Sequence, residues 1–375
     1  MKTAFTALAL VGLMLMLAPA AADPITELQP FLGEGKIISG NKTGDGVYDG
    51  ITFGENGEKG SAERLSIEMD GNNLTNLTME QVVILDPDGT KGTIGRIVVD
   101  NSSIPLNLDK EDPKAFFAWI LSLNADRLAI EDLNVGSKDS TVTIGTVAAE
   151  NVRNGYFDEL KIENLAVDGT SDEGVPFTVT IDKASMRGVG AAWMLYMRSM
   201  ALEQASTSSA NMSSNLSGED FAFLDDFKLA DHVDQLRLKG FTFSGLKVVS
   251  NGADLFNLDS YTGHITDYSG AFPVAGEYTL SGSVNVETIR GLSESNPQAQ
   301  MGLQMFQAAY GDPVVNFSGS GEQSYSKETR TMVSRMKIIE LDRLMKINLY
   351  TVFDNYDPAD FIEALYDPND DKTMV

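Results

Sequence analysis

Side chains able to do chemistry are few in this chain, and they are scattered. There are two histidines, His232 and His264, far apart and without neighbours at metal-ligand spacing. Cysteine is absent, so there is no thiolate nucleophile and no disulfide framework. No Gly-x-Ser-x-Gly elbow or Walker-type loop occurs, and Gly319-Ser320-Gly321 reads as a strand-to-turn passage. Acidic turns at 70–73 (DGNN), 86–90 (DPDGT) and 367–371 (DPNDD) offer clustered oxygens to a hard cation. None supplies the full ligand series of a calcium loop. With 54 Asp and Glu residues, some pair will stand at glycosidase separation by accident, and sequence cannot choose it. The residues point to no catalytic, cofactor or metal site.

The more unusual chemistry is apolar. The stretch 191–204, AAWMLYMRSMALEQ, is apolar almost all round for three helical turns yet too short to cross a bilayer. It reads either as a helix buried across the sheet or as a lid or groove wall. Methionine adapts to irregular apolar ligands, so Trp193, Met197 and Met200 are candidate ligand contacts. Met301 and Met305, on a later helix, suit the same role.

The elements that would position such residues are strands. In DELKIENLAVDG (158–169) the apolar positions are Leu160, Ile162, Leu165 and Val167, two alternating pairs separated by a one-residue slip. That spacing reads as a half-buried strand carrying a bulge. It returns at Leu128, Ile130, Leu133 and Val135, and at Leu236, Leu238, Phe241 and Phe243. It is weaker at Ile97, Val99, Ser102 and Ile104, and half present at Leu65 and Ile67. Leu65, Ile97, Leu128 and Leu160 follow one another at intervals of 32, 31 and 32, room for two strands and two turns. Partner strands are expected at Val82–Leu85, Val142–Val147 and Val175–Ile181. Asp-Gly at 45–46, 49–50, 70–71, 88–89 and 168–169, and Asn-Gly at 56–57, 154–155 and 251–252, tolerate the positive φ of tight hairpin turns. They favour an antiparallel meander over a parallel solenoid.

Four helical segments interrupt the strands: Pro113–Leu123, Ala191–Gln204, Pro297–Tyr310 and Pro358–Leu365. A Ser/Asn-rich stretch, residues 206–218, reads as a linker between halves at 23–205 and 219–375. The later half returns to strands at Leu236–Phe243, Tyr278–Val286, Val314–Phe317 and Met332–Phe353, the last being two strands around a turn. The expected fold is mainly β, a long twisted and mostly antiparallel sheet of repeated strand pairs with three to four helices packed on it.

Residues 1–22 read as a secretory signal, with Lys2, an apolar core from Ala4 to Leu17 and a small-residue site at Ala20–Ala22. No transmembrane segment is expected after cleavage. The formal charge of −26 repels nucleic acid and anionic membrane surfaces. Export without cysteine favours the periplasm of a Gram-negative bacterium, with secretion as the alternative.

The units LKIENLAV (160–167) and LAIEDLNV (128–135) resemble strands of AsmA-like envelope proteins and, more widely, of periplasmic β-groove proteins. That resemblance implies a curved sheet with an apolar inner face and a role in lipid handling or outer-membrane maintenance. The leading expectation is thus a non-enzymatic envelope protein that binds or escorts an apolar ligand such as lipid. Two alternatives stay open: an assembly factor offering strand edges to envelope partners, and a secreted polysaccharide hydrolase with an unrecognised acidic pair.

Overall fold

The computed structural model describes residues 38–53, 59–85, 90–105, 119, 121–137, 140–171, 174–190, 237–269, 272–292, 297–341 and 345–355. The chain divides into two units, residues 1–176 and 177–375. The proposed linker, 206–218, lies outside the described residues.

Among the described residues of the first unit, nine strands occur: β1 (Ser39–Gly44), β2 (Val47–Phe53), β3 (Lys59–Asp70), β4 (Asn73–Leu85), β5 (Lys91–Asp100), β6 (Ile104–Pro105), β7 (Ala125–Gly136), β8 (Ser140–Arg153) and β9 (Tyr156–Thr170). They follow one another across an antiparallel sheet in chain order, except that the two-residue β6 pairs with β4 and β7 lies beside β5. This is the meander that the turn chemistry favoured, and it excludes the parallel solenoid. At Asn154-Gly155 and Asn251-Gly252 both central residues take positive φ, closing two-residue hairpins. Two Asp-Gly pairs differ: Asp168-Gly169 lies within β9, and Asp49-Gly50 within β2.

The slip in the repeated unit has a backbone cause. Asp132 (φ 55°) sits between Ile130 and Leu133, and Asn164 (φ 56°) between Ile162 and Leu165. A single left-handed residue rotates the strand, so the next apolar side chain returns to the face it would otherwise leave. Gly50 (φ 63°) and Gln81 (φ 52°) do the same in β2 and β4. The intervening strands slip at the same level. Gly95 stands opposite Asp132, where an added Cβ would come 2.8 Å from that residue's own Cβ, and Gly145 faces Asn164 likewise at 3.0 Å. Every strand from β4 to β9, β6 excepted, therefore carries the motif, and the apolar positions align in cross-strand rows. One row runs Val82, Ile94, Leu133, Ile144, Leu165, and its neighbour runs Met79, Ile97, Ile130, Val147, Ile162. The weak unit at Ile97–Ile104 has its slip at Asn101 (φ 46°), just where β5 ends; the slip inside β5 comes earlier, at Gly95.

The opposite face of this unit is charged. Arg127 and Glu131 are four residues apart on one strand, so their contact at 2.6 Å carries the arginine stem over Ala129 between them. Lys161 reaches Glu150 at 3.3 Å past Ala148 in the same way. Val98, Ala129 and Ala148 form a buried cluster of neighbours in one cross-strand row beneath these arms.

In the second unit, the strands are β10 (Pro176–Gly190, its first residue in the first unit), β11 (Gly240–Ser250), β12 (Ala253–Ser269), β13 (Phe272–Asn285), β14 (Val314–Ser326), β15 (Thr331–Leu341) and β16 (Met345–Phe353). They too are antiparallel and in chain order. β15 and β16 are the two strands expected within 332–353. The motif of β11 lies five residues later than its spacing predicted: the left-handed residue is Gly245 (φ 64°), so the unit is Phe241, Phe243, Leu246 and Val248. The spacing at Leu236–Phe243 coincided with it only in part, because Phe241 and Phe243 open the true unit.

Two helices occur among the described residues, rather than three or four. α1 (Val286–Leu292) was not foreseen; Asn285 caps it by accepting from the backbone N–H of Glu287 and Thr288 at 3.1 and 3.2 Å. Its Val286 was expected to end a strand and instead opens this helix. α2 (Pro297–Tyr310) was foreseen, and Arg290 of α1 donates to Gln307 of α2 at 2.9 Å. Of Pro113–Leu123, only Trp119 and residues 121–123 are described, the first three of them helical; Ala191–Gln204 and Pro358–Leu365 lie outside.

Candidate functional site

The second unit builds one face from large apolar side chains that are only half-buried. From β11 come Phe241, Phe243, Leu246 and Val248; from β12 Phe256, Leu258 and Tyr261; from β13 Tyr278 and Leu280; from β14 Phe317. The register explains why these residues share a face. Phe243 pairs with Tyr261 and Tyr261 with Leu280, while the bulge between Leu258 and Ser260 keeps Phe256 and Leu258 on the same side.

Glycines decide how the rings lie. A Cβ on Gly263 would fall 2.3 Å from the Phe241 ring, one on Gly321 2.3 Å from Tyr278, and one on Gly282 2.6 Å from Phe317. Each ring occupies the space above a glycine on the next strand and so lies against the sheet instead of standing up from it. The rings also meet edge to face, Phe241 with Tyr261 at 4.8 Å and Tyr261 with Tyr278 at 6.4 Å between centroids, and Phe256 stacks with Phe317 at 5.9 Å. The result is an aromatic pavement. Gly319-Ser320-Gly321, expected at a strand-to-turn passage, lies inside β14 as part of it.

The reverse face of the same strands is a field of hydroxyls. Thr262 meets Thr279 at 2.8 Å and Ser260 meets Ser281 at 3.2 Å, in rows continued by Thr242, Ser244, Ser318 and Ser320. Charges stand at the margin. Glu322 accepts from Arg335 at 2.7 Å and raises its pKa, and Lys337 holds the Glu340 carboxyl below the usual carboxylate range by hydrogen bonding.

A cleft of about 210 Å³ opens near the start of β12, with the Lys247–Asp254 ion pair at 2.9 Å beside Asn257, Ser283 and Asn285. Pockets for drug-sized ligands usually hold 300–1,000 Å³, so this cleft, lined by Leu255, Phe256 and Val314 as well as by polar groups, is too small to enclose one. The extended pavement is the better candidate.

Of the sequence-predicted contacts, Trp193, Met197 and Met200 lie outside the described residues. Met301 and Met305 are on α2, 61% and 68% exposed, one turn apart and facing solvent, while Phe306 and Tyr310 stack on each other at 6.0 Å. His264 is exposed on β12, between Gly240 and Glu277; His232 lies outside. Among the described residues, no cluster of three or more His, Asp or Glu could hold a metal ion, and no helix is long and apolar enough to cross a membrane. Sequence reading missed the pavement itself. Its signal was there in Phe-x-Phe at 241–243 and in Gly263, Gly282 and Gly321, but only the register shows that each glycine lies beside a ring.

Compared with known proteins, the chain matches no family model, no curated protein and no solved structure.

Proposed function

We propose that this chain is a non-enzymatic binding protein of the bacterial envelope that holds or escorts an apolar ligand, such as a lipid acyl chain, on the paved face of its second unit. The observation that carries the reading is the half-buried aromatic and aliphatic surface running from β11 to β14. A contiguous apolar face of this kind marks a binding surface, because burying it gains roughly 25 cal/mol for each Å² removed from water. Rings laid against the sheet over Gly263, Gly282 and Gly321, with Tyr261 edge-on between Phe241 and Tyr278, give an open apolar surface that suits a flexible chain more than a shaped ligand. The export signal read at residues 1–22 and the likeness of LKIENLAV and LAIEDLNV to AsmA-like strands support placing this activity in the periplasm.

The test is Leu280→Lys. Leu280 sits in the middle of the pavement, opposite Tyr261 on one side and Gly319 on the other. Purified wild-type protein should carry lipid detectable by native mass spectrometry and should take up a fluorescent fatty acid. The folded variant, checked by circular dichroism, should lose most of that uptake. Equal uptake by folded wild type and variant would overturn the reading.

A further inference from the structure

The last strand of the second unit breaks the rules by which sheets protect their edges. β16, MKINLYTVF, stands at the end of the strand order, and among the described residues no strand pairs beyond it. It is nine residues long, contains neither proline nor glycine, and pairs with β15 along its whole length. Met345, Ile347, Leu349, Tyr350 and Val352 are 40–61% exposed. Natural edges are kept short or interrupted by proline, bulges or charge. Here the one charge is Lys346, and the strand contains no carboxylate in a chain of 54 acidic residues and net charge −26.

We infer that β16 is the docking edge for a second copy of this chain, joining two copies by antiparallel β16–β16 pairing about a two-fold axis. An isologous strand pair must match its own sequence reversed. The register using all nine residues puts Leu349 opposite Leu349, Ile347 opposite Thr351 and Met345 opposite Phe353, apolar side chains meeting on one face. On the other, Asn348 meets Tyr350 and Lys346 meets Val352. No like charges stand opposite one another, which is the condition an edge pair must satisfy. A chain carrying −26 would otherwise repel its own copy. β16 is an edge strand whose own residues bring no carboxylate to the contact, so self-association there escapes that repulsion at close range.

The absence of cysteine makes the register directly testable in the full chain. Opposed residues of antiparallel strands have Cα atoms about 4.5–5.5 Å apart, within disulfide reach. Leu349→Cys should therefore oxidise to a covalent dimer. Lys346→Cys alone should not, but mixed with Val352→Cys it should. By sedimentation the wild-type chain should show a monomer–dimer equilibrium whose dimer fraction rises with added NaCl, since salt screens the mutual repulsion of two acidic chains. Leu349→Lys should shift that equilibrium to monomer. The inference is overturned by a wild-type chain that stays monomeric at about 0.1 mM, the concentration at which a weak 0.1 mM dissociation constant would still populate dimer. It is equally overturned by a dimer that weakens with salt, or by Leu349→Cys cross-linking no better than Lys346→Cys. The cysteine pair keeps the test decisive if Leu349→Lys fails to fold.

Discussion

The two units share one strand grammar and use it in opposite ways. Both contain strands that carry the apolar motif with its slip, at Asp132 and Asn164 in the first and at Gly245 in the second, and both place the apolar residues in cross-strand rows. Yet of the 29 buried apolar residues among those described, 24 lie in the first unit and five in the second. The first unit fills its rows with aliphatic side chains and seals one of them, with Val82 1%, Ile94 2%, Leu133 3% and Ile144 3% exposed, while Met79, Ile97, Val147 and Ile162 in the neighbouring row stay half-buried around Ile130. The second fills them with rings laid over glycines, which smooth the face without covering it. The reverse faces differ as well. In the first unit they carry arginine and lysine arms spanning small residues, in the second neutral hydroxyls. One backbone pattern thus serves as a folded core in one unit and as an open surface in the other, and the choice of side chain at the repeated positions makes the difference.

That contrast predicts where the chain is fragile. Leu65→Ala removes a fully buried side chain from the first unit and should cost about 2–5 kcal/mol, read as a lowered urea midpoint. Leu280→Ala, at the half-buried counterpart in the second unit, should cost less than about half as much, because water already reaches the site. Equal costs at the two positions would mean that the paved face is a packed core, and the contrast would collapse. A smaller effect is expected at the slip. Gly245 has φ 64°, and a Cβ there would lie 2.1 Å from the Asp182 carboxylate oxygen. Gly245→Ala should lose about 1–2 kcal/mol from strain in the left-handed region, with further cost from displacing Asp182. Asn164→Gly at the equivalent slip of β9 should cost little, since its φ of 56° suits glycine. If Gly245→Ala were neutral, the slip would not depend on a left-handed residue.

How far the sequence revealed this can be judged at particular residues. In LAIEDLNV and LKIENLAV the slip is legible because a strongly apolar residue flanks it on both sides and Asp132 or Asn164, types that tolerate left-handed φ, fills it. In β5 and β8 it hides, because a glycine stands at the slip and the flanking residues (Gly92 and Ala149 among them) are too small to register as apolar positions. In β11 the leucines just ahead of the strand imitated the motif and shifted it by five residues. The helix α1 was missed because VETIRGL is short and follows a strand without a break; its start is set by the Asn285 cap. The candidate site was the least legible part. Methionine-rich helices drew attention by composition, whereas the pavement depends on which glycine faces which ring across strands, and that is a property of register.

The smallest predicted effect lies at the exposed end of the first unit, where polar side chains replace the apolar rows. Asn76 donates to Glu68 at 2.6 Å and accepts from the Asn101 backbone at 2.9 Å. The Asn101 side chain donates to Asp126 at 2.8 Å, and Arg153 reaches Asp126 at 2.5 Å. Asp126 thus holds two neighbours at once, one of them the left-handed residue that ends β5. The Arg153 hydrogen bond, and after it that of Asn101, holds its pKa below the ordinary value of 3.8. A carboxylate whose folded-state pKa lies below its unfolded one adds stability at pH above the unfolded value. That contribution fades as pH falls through the folded value. Wild type should therefore lose more stability than Asp126→Asn when urea midpoints are compared between neutral pH and a pH below 3.8. Because the group is exposed and screened by solvent, the difference should be small and should shrink further in high salt. If both proteins lose the same amount on acidification, the chain of polar contacts at this end contributes nothing through Asp126, and the apolar rows alone determine where β5 stops.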